Sequence, residues 1–275
     1  MGMSLSAAEP SWFAQAHPSP EALALRYRVY CEEFDYLPAC DYPSGLESDE
    51  DDATAAHIHL LDPRASDEAD IPSGIVASRG DATLAGYARL VRPDANGWLP
   101  VQRRCNITLA ADSLPSPTMS AEVSRLIIAP EFRRQKPGGL GSAKGTQIDI
   151  QQNRRKTAST ELLLHLFRGM ASYSYSNGIR YWFAAMERPL ARSLAQMGFP
   201  FKAAGPEGEF FGRITPYVAD LHELQDRVTQ RQPLLAQWLL PLHQSPARTD
   251  TPIAAHVPDW AHRPPPPPQL WSAGC

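Results

Sequence analysis

The chain has 275 residues, 43% of them hydrophobic and 20% charged, which is enough for one large α/β domain with additional segments. A net charge of −4 argues against a nucleic-acid binder. No window reaches the roughly 18 uncharged apolar residues of a membrane span, and the start MGMSLSAAEPSWFAQAHPSP lacks the basic and apolar regions of a signal peptide.

Residues 1–19 carry two prolines and little periodicity, and read as a loose N-terminal arm. The spacing of Ala22, Leu25, Val29 and Tyr30 predicts a helix from Glu21 to Phe34. A loop rich in Pro, Gly and acids follows, containing GLESDEDD (45–52). Alternation over His57 to Leu61 predicts a strand, and Ile75 to Ser78 with Leu84 to Val91 a hairpin turning near Arg79-Gly80-Asp81. SAEVSRLIIAP (120–130) is a long apolar run, expected as a buried central strand.

Residues 133–159 have a different composition, with seven Lys/Arg against one Asp and four glycines over 133–157, and read as a mobile basic insertion. A helix is expected from Thr160 to Ser176, closed by Asn177-Gly178, then a strand over Ile179 to Ala185. A short helix follows from Pro189 to Met197, then a strand over Glu209 to Ile214. A helical segment with a break at Pro233 spans 218–244, and a proline-rich disordered tail spans 245–275. The cysteines Cys31, Cys40, Cys105 and Cys275 form no C-x-x-C pair, which argues against a zinc site or a disulfide framework and points to a reduced, cytoplasmic protein.

Four motifs, LRYRVYCEEFDY, GLESDEDD, GYARL and EVSRL, occur in this order and at a spacing that resembles the acyl-homoserine-lactone (autoinducer) synthases. RYRVYCEEFDYLP followed by GLESDEDDATAAH is more similar to the acyltransferases associated with exosortase (PEP-CTERM) systems, which are related to N-acyl amino acid synthases. The resemblance covers about residues 20–215. It implies an α/β, GNAT-like N-acyltransferase fold over 20–217, with a mixed central sheet flanked by helices. It further implies a cytoplasmic enzyme that moves a fatty acyl chain from acyl carrier protein, or from acyl-CoA, to the amine of an amino acid or similar small acceptor. Transfer would be direct, with acyl-phosphopantetheine or acyl-CoA as substrate and no tightly bound cofactor or metal. Two alternatives remain: an acyl-homoserine-lactone synthase using S-adenosylmethionine, and a non-catalytic module that binds an acyl or aminoacyl ligand. Tyr36, where the synthases usually carry tryptophan, and the insertion at 133–159 count against the first of these.

Carried over position by position, the resemblance places Arg26, Tyr30, Tyr36, Asp49, Asp52 and Arg89 at the acceptor pocket, and Glu122 and Arg125 at the reacting centre. Amide formation needs a neutral amine, so a base must take its proton, and Glu122 on the buried strand is the candidate. A backbone N–H near Arg125 to Ile127 would face the developing oxyanion. Buried arginines need carboxylates, which Asp49 and Asp52 are placed to provide. Glu47, Glu50 and Asp51 are expected to face water. KPGGLG (136–141) partly matches the pyrophosphate-cradling motif of CoA-dependent GNAT enzymes through Gly139 and Gly141, with lysine in the first position and a helix expected only near Thr160. Arg133, Arg134 and Lys136 would steer an acidic carrier protein. Cys31, beside Glu32 and Glu33, is a poor nucleophile, and His57 and His59 are expected to be structural.

Overall fold

The computed structural model describes residues 10–62, 83–110, 113–133, 146–209 and 212–239, with backbone only for 146–158. Eight strands occur among the described residues, hydrogen-bonded in the order β1-β2-β3-β4-β5-β8-β6 with β7 on β8. The ranges are β1 Ser11–Gln15, β2 Ala55–Asp62, β3 Thr83–Val91, β4 Ser120–Ile128, β5 Tyr181–Met186, β6 Lys202–Ala203, β7 Gly208–Glu209 and β8 Arg213–Asp220. The helices are α1 Pro20–Tyr27, α2 Pro100–Arg104, α3 Thr146–Ser176, α4 Arg188–Gln196, α5 Leu221–Arg231 and α6 Pro233–Leu239. This is the expected mixed sheet flanked by helices. No described helix is long and apolar enough to cross a membrane. Packing divides the chain into two compact units: Met1–Asp49, His57–Ala88 and Arg125–Gly169 form the first, and Glu50–Ala56, Arg89–Ser124 and Met170–Cys275 the second.

In the first unit, residues expected to be a loose arm form β1, antiparallel to β2 in the register Ser11↔Leu61 to Gln15↔His57. Phe13 stacks on the buried His59 at 4.8 Å, so a ring contact and a strand ladder hold a segment whose own sequence shows no period. α1 starts where its chemistry directs: the Ser19 hydroxyl accepts from the Ala22 N–H at 3.2 Å, and Pro20 occupies the first turn. The expected helix does not stay regular to Phe34. From Arg28 to Glu33 it widens into a π-turn, with the Phe34 N–H reaching the Val29 carbonyl, and Asp35 ends it at φ 52°. Ala22, Leu25 and Val29 pack on Tyr87, Ile127 and Ala129.

α3 begins at Thr146, fourteen residues before the expected start at Thr160. The sequence TQIDIQQNRRKTAS has no apolar stripe, but it has no Gly or Pro either and is rich in Gln, Lys and Arg, which are good helix formers. The mobile reading of 133–159 therefore fails from Thr146 onward. Arg134, Lys136, Gly139 and Gly141, the Ile75–Asp81 part of the hairpin and the 245–275 tail lie outside the described residues.

In the second unit, β5 pairs parallel with β4 through Ser120↔Tyr181 to Glu122↔Phe183, and antiparallel with β8 from Tyr181↔Asp220 to Met186↔Thr215. β8 runs six residues past the expected strand end at Ile214. Pro216 interrupts the local pattern, yet Thr215, Tyr217 and Val218 favour a strand and Asp220 caps α5 by accepting from the His222 N–H at 2.9 Å. The expected boundary at 217/218 thus falls inside β8. Pro233 opens α6, where the break was expected. α2, five residues long, has no counterpart in the sequence reading. Cys31 and Cys105 are free thiols.

Candidate active site

In the first unit α1, the acidic loop and β4 bring together one acid and two arginines. Glu47 is fully buried. Its Oε2 accepts from Arg26 Nε at 2.5 Å and Arg125 Nε at 3.0 Å, and its Oε1 accepts from Arg125 Nη2 at 2.9 Å. Arg125 Nη2 also donates to Asp49 Oδ2 at 3.0 Å, and its guanidinium lies 5.0 Å from the Tyr30 ring centroid. Burial alone would raise the pKa of Glu47, but hydrogen bonds and charge from Arg125 and Arg26 outweigh it and hold the carboxyl at about 2. Burial likewise opposes the charge of both arginines, and Glu47 overcomes it, raising each pKa. Tyr36 stacks on Phe34 at 5.3 Å and lies 6.3 Å from Tyr30.

Arg125 itself has φ 51°, the left-handed region, in the middle of β4. For a long side chain this costs about 1–3 kcal/mol and persists only where surrounding contacts over-determine it. The bidentate grip of Glu47 and the contact with Asp49 are such contacts. The left-handed turn re-aims the following peptide, within the stretch Arg125 to Ile127 expected to carry the oxyanion donor.

In the second unit Arg89 is buried, donating through Nη1 to Asp52 Oδ1 at 2.6 Å and through Nε to Ser124 Oγ at 3.0 Å. Glu122, also buried, accepts from the Val101 N–H at 2.5 Å. Burial is the largest influence on this carboxyl and pushes it up to about 7, against the lowering effects of the Val101 hydrogen bond and the Arg104 charge. Asp51, buried, accepts from Arg103 at 2.6 Å and Arg104 at 3.1 Å, while Arg103 also reaches Asp94 at 2.8 Å.

Asp49 meets Arg125 and Asp52 meets Arg89, each within its own unit, and Glu122 takes its hydrogen bond from Val101. Glu47 and Asp51 are not solvated: both are buried and each binds two arginines, and of the three acids expected to face water only Glu50 is exposed. The demand of Arg26 and Arg125 for carboxylates was readable. Which acid would answer it was not. Arg133, assigned to donor binding, donates to both carboxylate oxygens of Glu33, one at 2.9 Å, and lies over Phe34. Burial, with Glu47 and Glu32, pushes the Cys31 thiol up to about 11, and burial with Glu122 does the same for Cys105, which disfavours either as a nucleophile. His57 bonds the Tyr87 hydroxyl at 2.6 Å, in keeping with a structural role. No group of three His, Cys, Asp or Glu suited to a metal occurs among the described residues.

No curated protein matches the chain. Among solved structures, a CoA-dependent acyl-homoserine lactone synthase, BjaI, with SAM and isopentyl-CoA, is similar at 17% identity and TM-score 0.49, over 77% of this chain and 80% of that one. TofI in a ternary complex with an inhibitor and MTA is similar at 17% identity and TM-score 0.47, over 82% and 99%. Escherichia coli ElaA is similar at 14% identity and TM-score 0.37, over 77% and 100%. The family model for the acetyltransferase (GNAT) domain matches residues 25–138, the stretch that carries Arg26, Glu47, Arg89, Glu122 and Arg125. Residues 25–138, less than half of the chain, are therefore similar to the acetyltransferase (GNAT) domain.

Proposed function

We propose that the protein is an N-acyltransferase that moves a fatty acyl chain from a phosphopantetheine thioester to the amine of an amino acid or similar small acceptor, as the motif resemblance to exosortase-associated acyltransferases implies. The observation that carries this reading is Glu122: a buried carboxyl on the central strand, held by a single backbone donor among its described hydrogen bonds and pushed up to about 7. Such a group exchanges a proton near neutral pH, which amide formation requires.

The acceptor nitrogen attacks the thioester carbonyl and gives its proton to Glu122, directly or through one water. The new C–N bond forms, a backbone N–H following Arg125 stabilises the oxyanion, and the C–S bond breaks. The sulfur leaves as the pantetheine thiol, taking up a proton. A preorganised donor of this kind is worth roughly 3–4 kcal/mol of barrier. The resemblance assigns the acceptor to fixed charge carried in one unit by Arg89 with Asp52 and in the other by Arg26 and Arg125 with Glu47 and Asp49, and to the aromatic rings of Tyr30 and Tyr36. Arg133, Arg134 and Lys136 serve the donor, either acyl carrier protein or acyl-CoA.

The test is mass spectrometry of organic extracts from a bacterial host producing the wild type or Glu122→Gln. New long-chain N-acyl amino acids are expected with the wild type, reduced roughly 10²–10⁴-fold in the variant. Acyl-homoserine lactones would favour the S-adenosylmethionine-dependent reaction, and no new acylated product would favour a binding module.

A further inference from the structure

α2 is too short to hold itself together. Five residues give about one hydrogen-bonded turn, and isolated helices below about 12 residues are marginal in water. Something else must fix Val101, whose N–H lies on the Glu122 carboxylate. Leu99 and Val101 pack with Phe183, and the Gln102 side chain accepts from the Leu99 N–H at 2.8 Å. Those contacts secure the first turn. The last turn is secured by charge. Arg103 reaches Asp94 and Asp51, and Arg104 reaches Asp51. Asp94 in turn accepts from the Asn96 and Trp98 N–H groups and so braces the loop that leads into α2. Asp51 is the acid shared by both arginines, it is buried, and it comes from a different segment, the 3-10 turn Glu50–Thr54.

We propose that Asp51 is a positioning residue for Glu122: by gripping Arg103 and Arg104 together, it seats α2 so that the Val101 N–H stays on the Glu122 carboxylate. This rests on the reading of Glu122 as the proton acceptor. The charged and titratable groups acting on Glu122 are Arg104, Asp51 and Arg89, and Cys105 is acted on by Glu122 in turn. Asp51 therefore has two opposed influences. Its own negative charge raises the Glu122 pKa. Through α2 it maintains the Val101 hydrogen bond, which lowers that pKa and is the stronger of the two. The sign of the shift in Asp51→Asn separates them.

The experiment is ¹³C NMR titration of the Glu122 carboxyl together with the Val101 amide signal, on the free full-length protein, for wild type, Asp51→Asn and Asp94→Asn. In the wild type both signals are expected to follow one midpoint near 7. In Asp51→Asn the midpoint is expected to rise by about half a unit to one unit, and the Val101 amide to move upfield with loss of exchange protection. Asp94→Asn keeps an oxygen for the loop amides and should fold, loosening α2 through Arg103 alone with a smaller shift in the same direction. A fall of the midpoint in Asp51→Asn would mean that Asp51 acts only as a charge, and an unchanged midpoint with lower thermal stability would mean that it serves only the fold. Either result overturns the proposal. If Asp51→Asn does not fold, the sign for Asp94→Asn decides in the same way. Because the titration needs no substrate, its outcome is independent of whether Glu122 later proves to be the catalytic base.

Discussion

Within eight residues, Gly45 to Asp52, the acidic loop contains side chains of very different consequence. Glu47 is fully buried and shared by the buried Arg26 and the half-buried Arg125, so Glu47→Gln is expected to cost about 3–5 kcal/mol. Asp49→Asn should cost less, because Arg125 keeps its two hydrogen bonds to Glu47. Glu50→Ala, at an exposed position, should stay within about 0.5 kcal/mol. Urea unfolding of the three variants measures this order, and equal small losses would show that Glu47 is not the central acid. The strained backbone of Arg125 belongs to the same interaction, since Glu47 and Asp49 hold the side chain whose main chain sits at φ 51°.

Short elements are held by neighbours rather than by their own propensity. β1 is one case, docked on β2 and against α3. A methyl group added at Gly169 would come within 2.9 Å of Trp12 Cδ2 and 3.1 Å of Ile58 Cγ2. Gly169→Ala is therefore expected to destabilise by about 1–3 kcal/mol, although Ala is normally preferred to Gly inside a helix by up to about 1 kcal/mol. In a Trp12→Ala background the penalty should shrink by at least half, a coupling that a double-mutant cycle in thermal unfolding would read. Additive effects would place Trp12 away from α3. The π-turn at Arg28–Glu33 is a second case: it contains Tyr30, which lies near the Tyr36 ring, so the expected 3.6-residue spacing does not describe how that side chain is presented.

For the molecule as a whole, two carboxyls shape the pH dependence of stability in opposite ways. Glu47 has its folded pKa lowered from 4.5 to about 2, so its contribution is present above 4.5 and is lost as pH falls toward 2. Glu122 has its folded pKa raised from 4.5 to about 7, so its contribution is present below 4.5 and is lost as pH rises through 7. Each is worth on the order of 3 kcal/mol at full extent. Glu122→Gln, which keeps an acceptor for Val101, should then be more stable than the wild type at pH 8 by about 2 kcal/mol and indistinguishable from it at pH 4.5. Thermal unfolding at the two pH values checks this, and a variant no more stable at pH 8 would show that the Glu122 carboxyl is not held near 7.

The sequence by itself determined the elements with a strong local period and the charge types at the site. β2, β3, β4, β5 and the second half of α3 lie where alternation or a 3.6-residue stripe puts them, and the resemblance singled out Asp49 and Asp52 as the acids for arginines. Local pattern is legible because it repeats every two or four residues. What the tertiary structure alone decided has no local signature. Arg125 meets Glu47 across 78 residues, and Arg103 meets Asp51 across 52. Adjacent acids in one run look alike until the fold chooses which of them is buried. α2 is shorter than two turns and β1 has no alternation, so neither presents a period to read. Both exist because burial and ion pairs from distant segments supply the free energy that their own residues lack.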